Sequence, residues 1–130
     1  MNPEEMKTRT RAFALRTIRL AESLPKTPTA NTIRNQMLRC GPSVGANYRA
    51  ACRAKSKPDF ISKMGIVEEE ADETMYWIEL LIDAGLVKRA RVAELLGEAD
   101  EILSITVSSI KTAKELIRGF RRFRIPQSAF

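Results

Sequence analysis

Glu68, Glu69, Glu70, Asp72 and Glu73 crowd five carboxylates into one short acidic run. On a helix, Glu69 and Glu73 stand four apart and share a face. Carboxylates so placed can bridge a metal pair or exchange protons with a substrate. A di-iron bundle also needs Glu-x-x-His pairs, and the chain has no histidine. Acid–base hydrolysis needs a nucleophile held against a base, and the sequence offers no such pair. The expectation is therefore no catalytic residue, no metal and no cofactor, hence no enzyme. Glu70 and Glu73 are read instead as polar packing against Asn47 or an arginine.

The stretch RCGPSVGANYRAACRAKSK, from Arg39 to Lys57, has the small residues and basic punctuation of a phosphate loop. A P-loop needs GxxxxGK[ST] after a strand. Here Gly41 and Gly45 are four apart, no Lys-Ser or Lys-Thr pair follows, and no strand precedes. Cys40, Val44, Tyr48 and Ala51 instead hold a helical register. Pro42 offers no N–H and crowds the carbonyl of Leu38, so the helix is expected to kink or restart there. Gly41, Gly45 and Ala46 would let a neighbouring helix approach closely. Ser43 and Asn47 are candidate polar residues that fix register, as seam amides can.

The remaining chemistry is cationic. Arg9, Arg16 and Arg19 share a strip of the first segment, and Arg49, Arg53 and Lys57 step by four on the second. Such rows suit phosphate contact, and they suit salt bridges equally well. Arg118, Arg121, Arg122 and Arg124 interleave with Phe120 and Phe123, a composition that can grip single-stranded nucleic acid or simply end a chain. The net charge of +6 is unevenly spread. Residues 1–57 carry 12 basic and 3 acidic side chains, 58–110 carry 4 and 12, and 111–130 carry 6 and 1. Basic and acidic helices can attract one another, and a basic surface can bind nucleic acid.

These residues must sit on helices. The 130 residues suffice for one domain, and 44% apolar with 29% charged content fits a globular chain. No apolar run approaches a bilayer span and the N-terminus lacks a signal-peptide core, so a cytoplasmic protein without a membrane partner is expected. Cys40 and Cys52 have no metal or redox spacing and are expected to stay thiols. Prolines and glycines divide the chain into helices at about 5–24, 29–54, 57–84 and 89–117, with a basic tail at 118–130. Thr29 is a candidate N-cap, and Ser56 with Asp59 forms a capping-box-like pair. The third segment steps Phe60, Met64, Val67, Ala71, Thr74, Ile78 and Leu81, and the fourth Val92, Leu95, Ala99, Ile102, Thr106, Ile110, Ala113 and Ile117. Both are heptad seams. The whole predicts an all-α, antiparallel up-down four-helix bundle. The third segment has apolar residues to spare, among them Ile66, Tyr76, Trp77 and Leu80. That surplus predicts a homo-oligomer with Tyr76 and Trp77 as interface candidates.

The order of FALRTIRLAESLP, RCGPSVGANYRAA, FISKMGIVEEEADETMYWIELLIDAGLV and ELLGEADEILSITVSSIKTAKE resembles the four-helix bundle proteins associated with 23S rRNA intervening sequences. The resemblance covers about residues 9–117. Its most specific pieces are Ser43, Val44 and Asn47, and the acidic block ending in Glu73 and Tyr76. It implies a bundle that assembles as a homopentamer without catalytic activity. It also makes the chain similar to the accessory protein of diversity-generating retroelements, a basic pentameric barrel that binds nucleic acid and a reverse transcriptase. Gly45-Ala46 replaces a common Pro-Ser and Ala50-Ala51 a frequent Glu-Gly, so a role for that glutamate does not carry over. The expectation is electrostatic binding of nucleic acid, RNA favoured, through Arg16, Arg19, Arg49, Arg53 and the tail arginines. The alternative is an oligomeric scaffold whose partner is a protein.

Overall fold

Four helices account for nearly all of the chain, and the described residues contain no strand. The computed structural model describes the backbone of residues 1–128 and the side chains of residues 1–119. The helices are α1 (Pro3–Glu22), α2 (Pro28–Cys52), α3 (Lys57–Asp83) and α4 (Arg89–Ser128).

Local chemistry explains each boundary. Asn2 Oδ1 accepts from the Glu5 N–H at 2.8 Å to start α1. Thr27, not Thr29, caps α2 by accepting from Ala30 N–H at 3.2 Å, with Pro28 in the first turn. Ser56 accepts from Asp59 N–H at 3.2 Å, and Asp59 reaches back to the Lys55 N–H at 3.0 Å, so the capping pair forms as the sequence suggests. The α3 helix ends on Gly85 at φ +73, a left-handed position suited to glycine. There Leu86 N–H returns to the Leu81 carbonyl at 2.9 Å and Gly85 N–H to Ile82 at 3.0 Å, a Schellman stop.

Two expectations are corrected. First, α2 does not restart at Pro42; the helix runs through it to Cys52. Packing on both neighbours holds the turn in place, so losing one backbone hydrogen bond is tolerated. Second, α4 does not stop at Ile117 but continues to Ser128. At 1.5 Å per residue it is about 60 Å long, against about 40 Å for α3.

Consecutive helices pack broadly on one another, whereas α1 and α4 meet sparingly. The core is the seam read from the sequence plus residues the reading passed over. Met64, Val67, Ala71, Thr74, Ile78 and Leu81 are buried on α3, with Phe60 at the margin. Val92 through Ala113 are buried at the expected positions on α4, while Ile117 lies at the edge. Met6, Thr10 and Thr17 join Phe13 and Leu20 on α1. The buried threonines satisfy themselves: Thr10, Thr17, Thr74 and Thr106 each donate to the carbonyl four residues earlier. The apolar surplus of α3 is mostly consumed internally. Ile61, Met75, Trp77, Leu80 and Ile82 pack on the core because α3 sits between α2 and α4; only Ile66 and Tyr76 stay exposed. No described helix is long and apolar enough to cross a membrane.

The cap of α3 gives a pH prediction. Asp59 is held below the usual carboxylate range, chiefly by the Lys63 ammonium at 2.7 Å and then by the Lys55 N–H. A depressed folded value means that the stabilisation is present above the unfolded carboxylate value and lost as pH falls through the folded one. Asp59→Asn should therefore flatten the acid side of the stability–pH curve while leaving the neutral-to-alkaline shape intact. Thermal melts across that range check it, and an unchanged acid limb overturns it.

Candidate functional site

The arginines divide into those spent on the fold and those left at the surface. Arg9 is spent. Its guanidinium forks onto Glu98 through Nε at 2.8 Å and Nη2 at 2.7 Å, and also reaches Glu101. These hydrogen bonds raise its pKa above the ordinary arginine value. Arg34 is spent too: its Nε donates to the Ala21 carbonyl at 2.9 Å, and Nη2 to Leu24 and Pro25 at 2.8 and 2.9 Å, closing the α1–α2 corner. Arg39 donates to Glu73 and lies 3.4 Å from Glu70, tying α2 to α3. Arg39 is thus the arginine that the acidic run was expected to meet. Asn47 is not its partner, because Nδ2 donates to Ser43 O at 2.8 Å on the same helix, while Ser43 Oγ donates to Arg39 O at 2.7 Å.

The acidic run and Cys40 converge behind that pair. Donor atoms of Cys40, Glu70 and Glu73 lie within 4.8 Å of one another. Thr74 Oγ1 points to Cys40 Sγ at 3.2 Å and donates to the Glu70 carbonyl at 2.7 Å. Burial raises the Cys40 thiol and the Glu70 carboxyl above their ordinary values, with Arg39 opposing both. The Arg39 guanidinium supplies the positive charge these carboxylates need, and the cluster works as an ion-paired clasp between α2 and α3.

The surface cations lie elsewhere. Arg16, Arg19 and Arg91 surround a cleft of about 250 Å³ between α1 and α4, floored by Leu20, Val92 and Leu95. No carboxylate lines it. Arg16 approaches the exposed Glu94 only at 4.0 Å, and Arg91 donates to Ser23 Oγ at 2.7 Å. Arg91 was not legible as a partner of Arg16 and Arg19, because 72 residues separate it from Arg19 in the chain and only the meeting of α1 with α4 unites them. The second row breaks up. Arg49 is exposed on α2, Arg53 is the C-cap of α2, and Lys57 begins α3, so the three do not share a helix face. Arg118 is exposed on α4. Arg121, Arg122 and Arg124 lie outside the described side chains.

Of the two interface candidates, Tyr76 is 55% exposed and Trp77 is half-buried. Their rings meet edge to face at 5.0 Å. Trp77 Nε1 is buried with no acceptor among the described residues.

The family model for the 23S rRNA-intervening sequence protein matches residues 4–108. None of the curated proteins matches the chain. Among solved structures, a Bacteroides thetaiotaomicron protein of unknown function from the S23 ribosomal protein family is similar, at 36% identity and a TM-score of 0.79. The likeness covers 85% of this chain and 99% of that one. With four helices and a family model spanning most of its length, the chain belongs to the 23S rRNA-intervening sequence protein family.

Proposed function

We propose that this is a non-catalytic, cytoplasmic protein that binds nucleic acid electrostatically, with RNA favoured. The observation that carries the reading is the cleft of Arg16, Arg19 and Arg91, three guanidinium groups around one small hollow without a lining carboxylate. Guanidinium forks match phosphate oxygens in geometry and charge. The family's naming for 23S rRNA intervening sequences favours RNA over DNA. The sequence shows no dedicated base-reading motif, so binding tracks phosphates and discriminates weakly among sequences. The test is a gel shift with ribosomal RNA fragments, unrelated RNA and DNA over a range of salt. Binding that weakens steeply with salt and varies little with sequence supports the reading; no binding at low salt overturns it.

The assembly in this reading is an up-down bundle that forms a homopentamer, so that modest contacts add through multivalency. Exposed Tyr76 and Ile66 support an interface on α3, beside the unsatisfied Trp77 Nε1. Tyr76→Glu is expected to lower the mass seen by light scattering at micromolar concentration, whereas Leu116→Glu on the far end of α4 leaves it unchanged. A monomeric wild type contradicts the assembly. A second reading, an oligomeric scaffold for a protein partner, draws on the spending of Arg9 and Arg39 on ion pairs within the chain.

A further inference from the structure

At the opposite end of the α1–α4 seam from the arginine cleft, the bundle opens into a groove of about 1040 Å³. It forms because α1 begins at Pro3 while α4 runs on past it, and because α1 and α4 pack sparingly. Every charged side chain on its wall is a lysine: Lys7 from α1, Lys55 from the α2–α3 turn and Lys57 from the start of α3. The contact of Lys7 with Glu4 is an exposed pair at 3.2 Å, which water screens and which leaves the ammonium available.

The facing wall is unusual for a helix in this chain. Ser104, Ser108 and Thr112 line it at four-residue intervals, with Ser109 beside them. The core threonines turn their hydroxyls back onto carbonyls, but these four hydroxyls have no hydrogen-bond partner among the described residues. A hydroxyl both donates and accepts, so it can meet any base edge, a ribose 2′-OH or a phosphate. Between the lysines and the hydroxyls lies an apolar floor of Phe60 and Ile105, over the buried Tyr48, with the exposed Leu116 beside it. Cations, free hydroxyls and an accessible aromatic side chain around one open groove are the elements of a single-strand site.

Resting on the nucleic-acid reading above, we infer that this groove takes a short single-stranded segment of RNA, its phosphates on Lys7, Lys55 and Lys57 and its bases against Phe60 and the serine wall. A duplex keeps its bases stacked inside and is wider than a gap between two helices, so it reaches the lysine rim but not the floor. The groove is separate from the arginine cleft, because Glu98 and Glu101, held by Arg9, lie between them along the seam.

The experiment is fluorescence anisotropy with a short labelled single-stranded RNA of mixed sequence and with the same sequence as a duplex. One variant is Ser108→Leu, which fills the groove without altering charge; Ser108 is exposed, so the core is untouched. The other combines Lys7→Gln, Lys55→Gln and Lys57→Gln. Blocking one stacked base is expected to weaken single-strand binding about tenfold in Ser108→Leu and to leave duplex binding unchanged. The lysine variant should weaken both. If wild type binds single strands and Ser108→Leu binds them equally well, the groove inference falls while the nucleic-acid reading stands. If wild type binds neither form at low salt, both fall.

Discussion

Gly41→Val is expected to cost about 3 kcal/mol of stability and roughly 10 °C of melting temperature. A Cβ built on Gly41 would lie 2.5 Å from Thr17 Cγ2 and 2.9 Å from Thr17 Cβ. Thr17 cannot turn aside, since it is fully buried and its hydroxyl donates to the Phe13 carbonyl at 2.9 Å. The only relief is for α1 and α2 to move apart, which opens the core along their length. Valine and glycine differ little in helix propensity, so sterics dominate the measurement. Gly97 provides the comparison, because a Cβ there meets nothing within 4 Å. Gly97→Ala should stabilise by about 0.5–1 kcal/mol through the unfolded chain. Thr17→Ser removes the nearest methyl and keeps the hydroxyl, so it should recover part of the loss in the double variant. Denaturant melts of the four proteins check this. A Gly41→Val as stable as Gly97→Ala would overturn the close approach of α1 and α2.

The second large effect is on binding. Replacing Arg16, Arg19 and Arg91 together by alanine should lower RNA affinity at low salt by two orders of magnitude or more, at about 1.5–3 kcal/mol per lost charged hydrogen bond. The cleft of about 250 Å³ suits a single phosphate, so each copy of the chain loses one contact. Each contact contributes about 0.7 to the salt slope for a single strand and about 0.9 for a duplex. The slope should therefore become shallower by a few units if several subunits engage one RNA. Arg19 and Arg91 are exposed and Arg16 is half-exposed, so helicity should not change. A variant lacking three exposed lysines outside the cleft, Lys26, Lys111 and Lys114, carries the same net charge. If both variants bind alike, the effect is diffuse charge and the cleft is not the site.

Much of the architecture was legible because helix periodicity is local. The four-three steps of α3 and α4 named their buried seams nearly residue by residue, and Ser56 with Asp59 announced the start of α3. The resemblance carried by Ser43, Val44, Asn47, Glu73 and Tyr76 led to the family that the comparison with family models then established. Composition also fixed the absence of histidine, which removes one class of metal chemistry whatever the fold.

Other properties depend on which helix faces which. Periodicity shows that Gly41 is on a helix; only the packed pair α1–α2 shows that Gly41 and Gly45 rest on Thr17 and Thr10, while Ala46 faces solvent. The row of Arg49, Arg53 and Lys57 looked continuous because spacing cannot reveal that a turn falls between its members. The surplus of apolar residues on α3 pointed outward until two flanking helices were seen to cover most of it. A count of arginines likewise cannot separate Arg9 and Arg39, neutralised by carboxylates from other helices, from Arg19 and Arg91, which meet across a cleft. Helix formation depends mainly on neighbours a few positions away, and the sequence by itself determined it except at Pro42, where packing carries α2 through, and beyond Ile117 on α4. Charge pairing and grooves depend on atoms brought together from distant parts of the chain, and only the tertiary structure decided those.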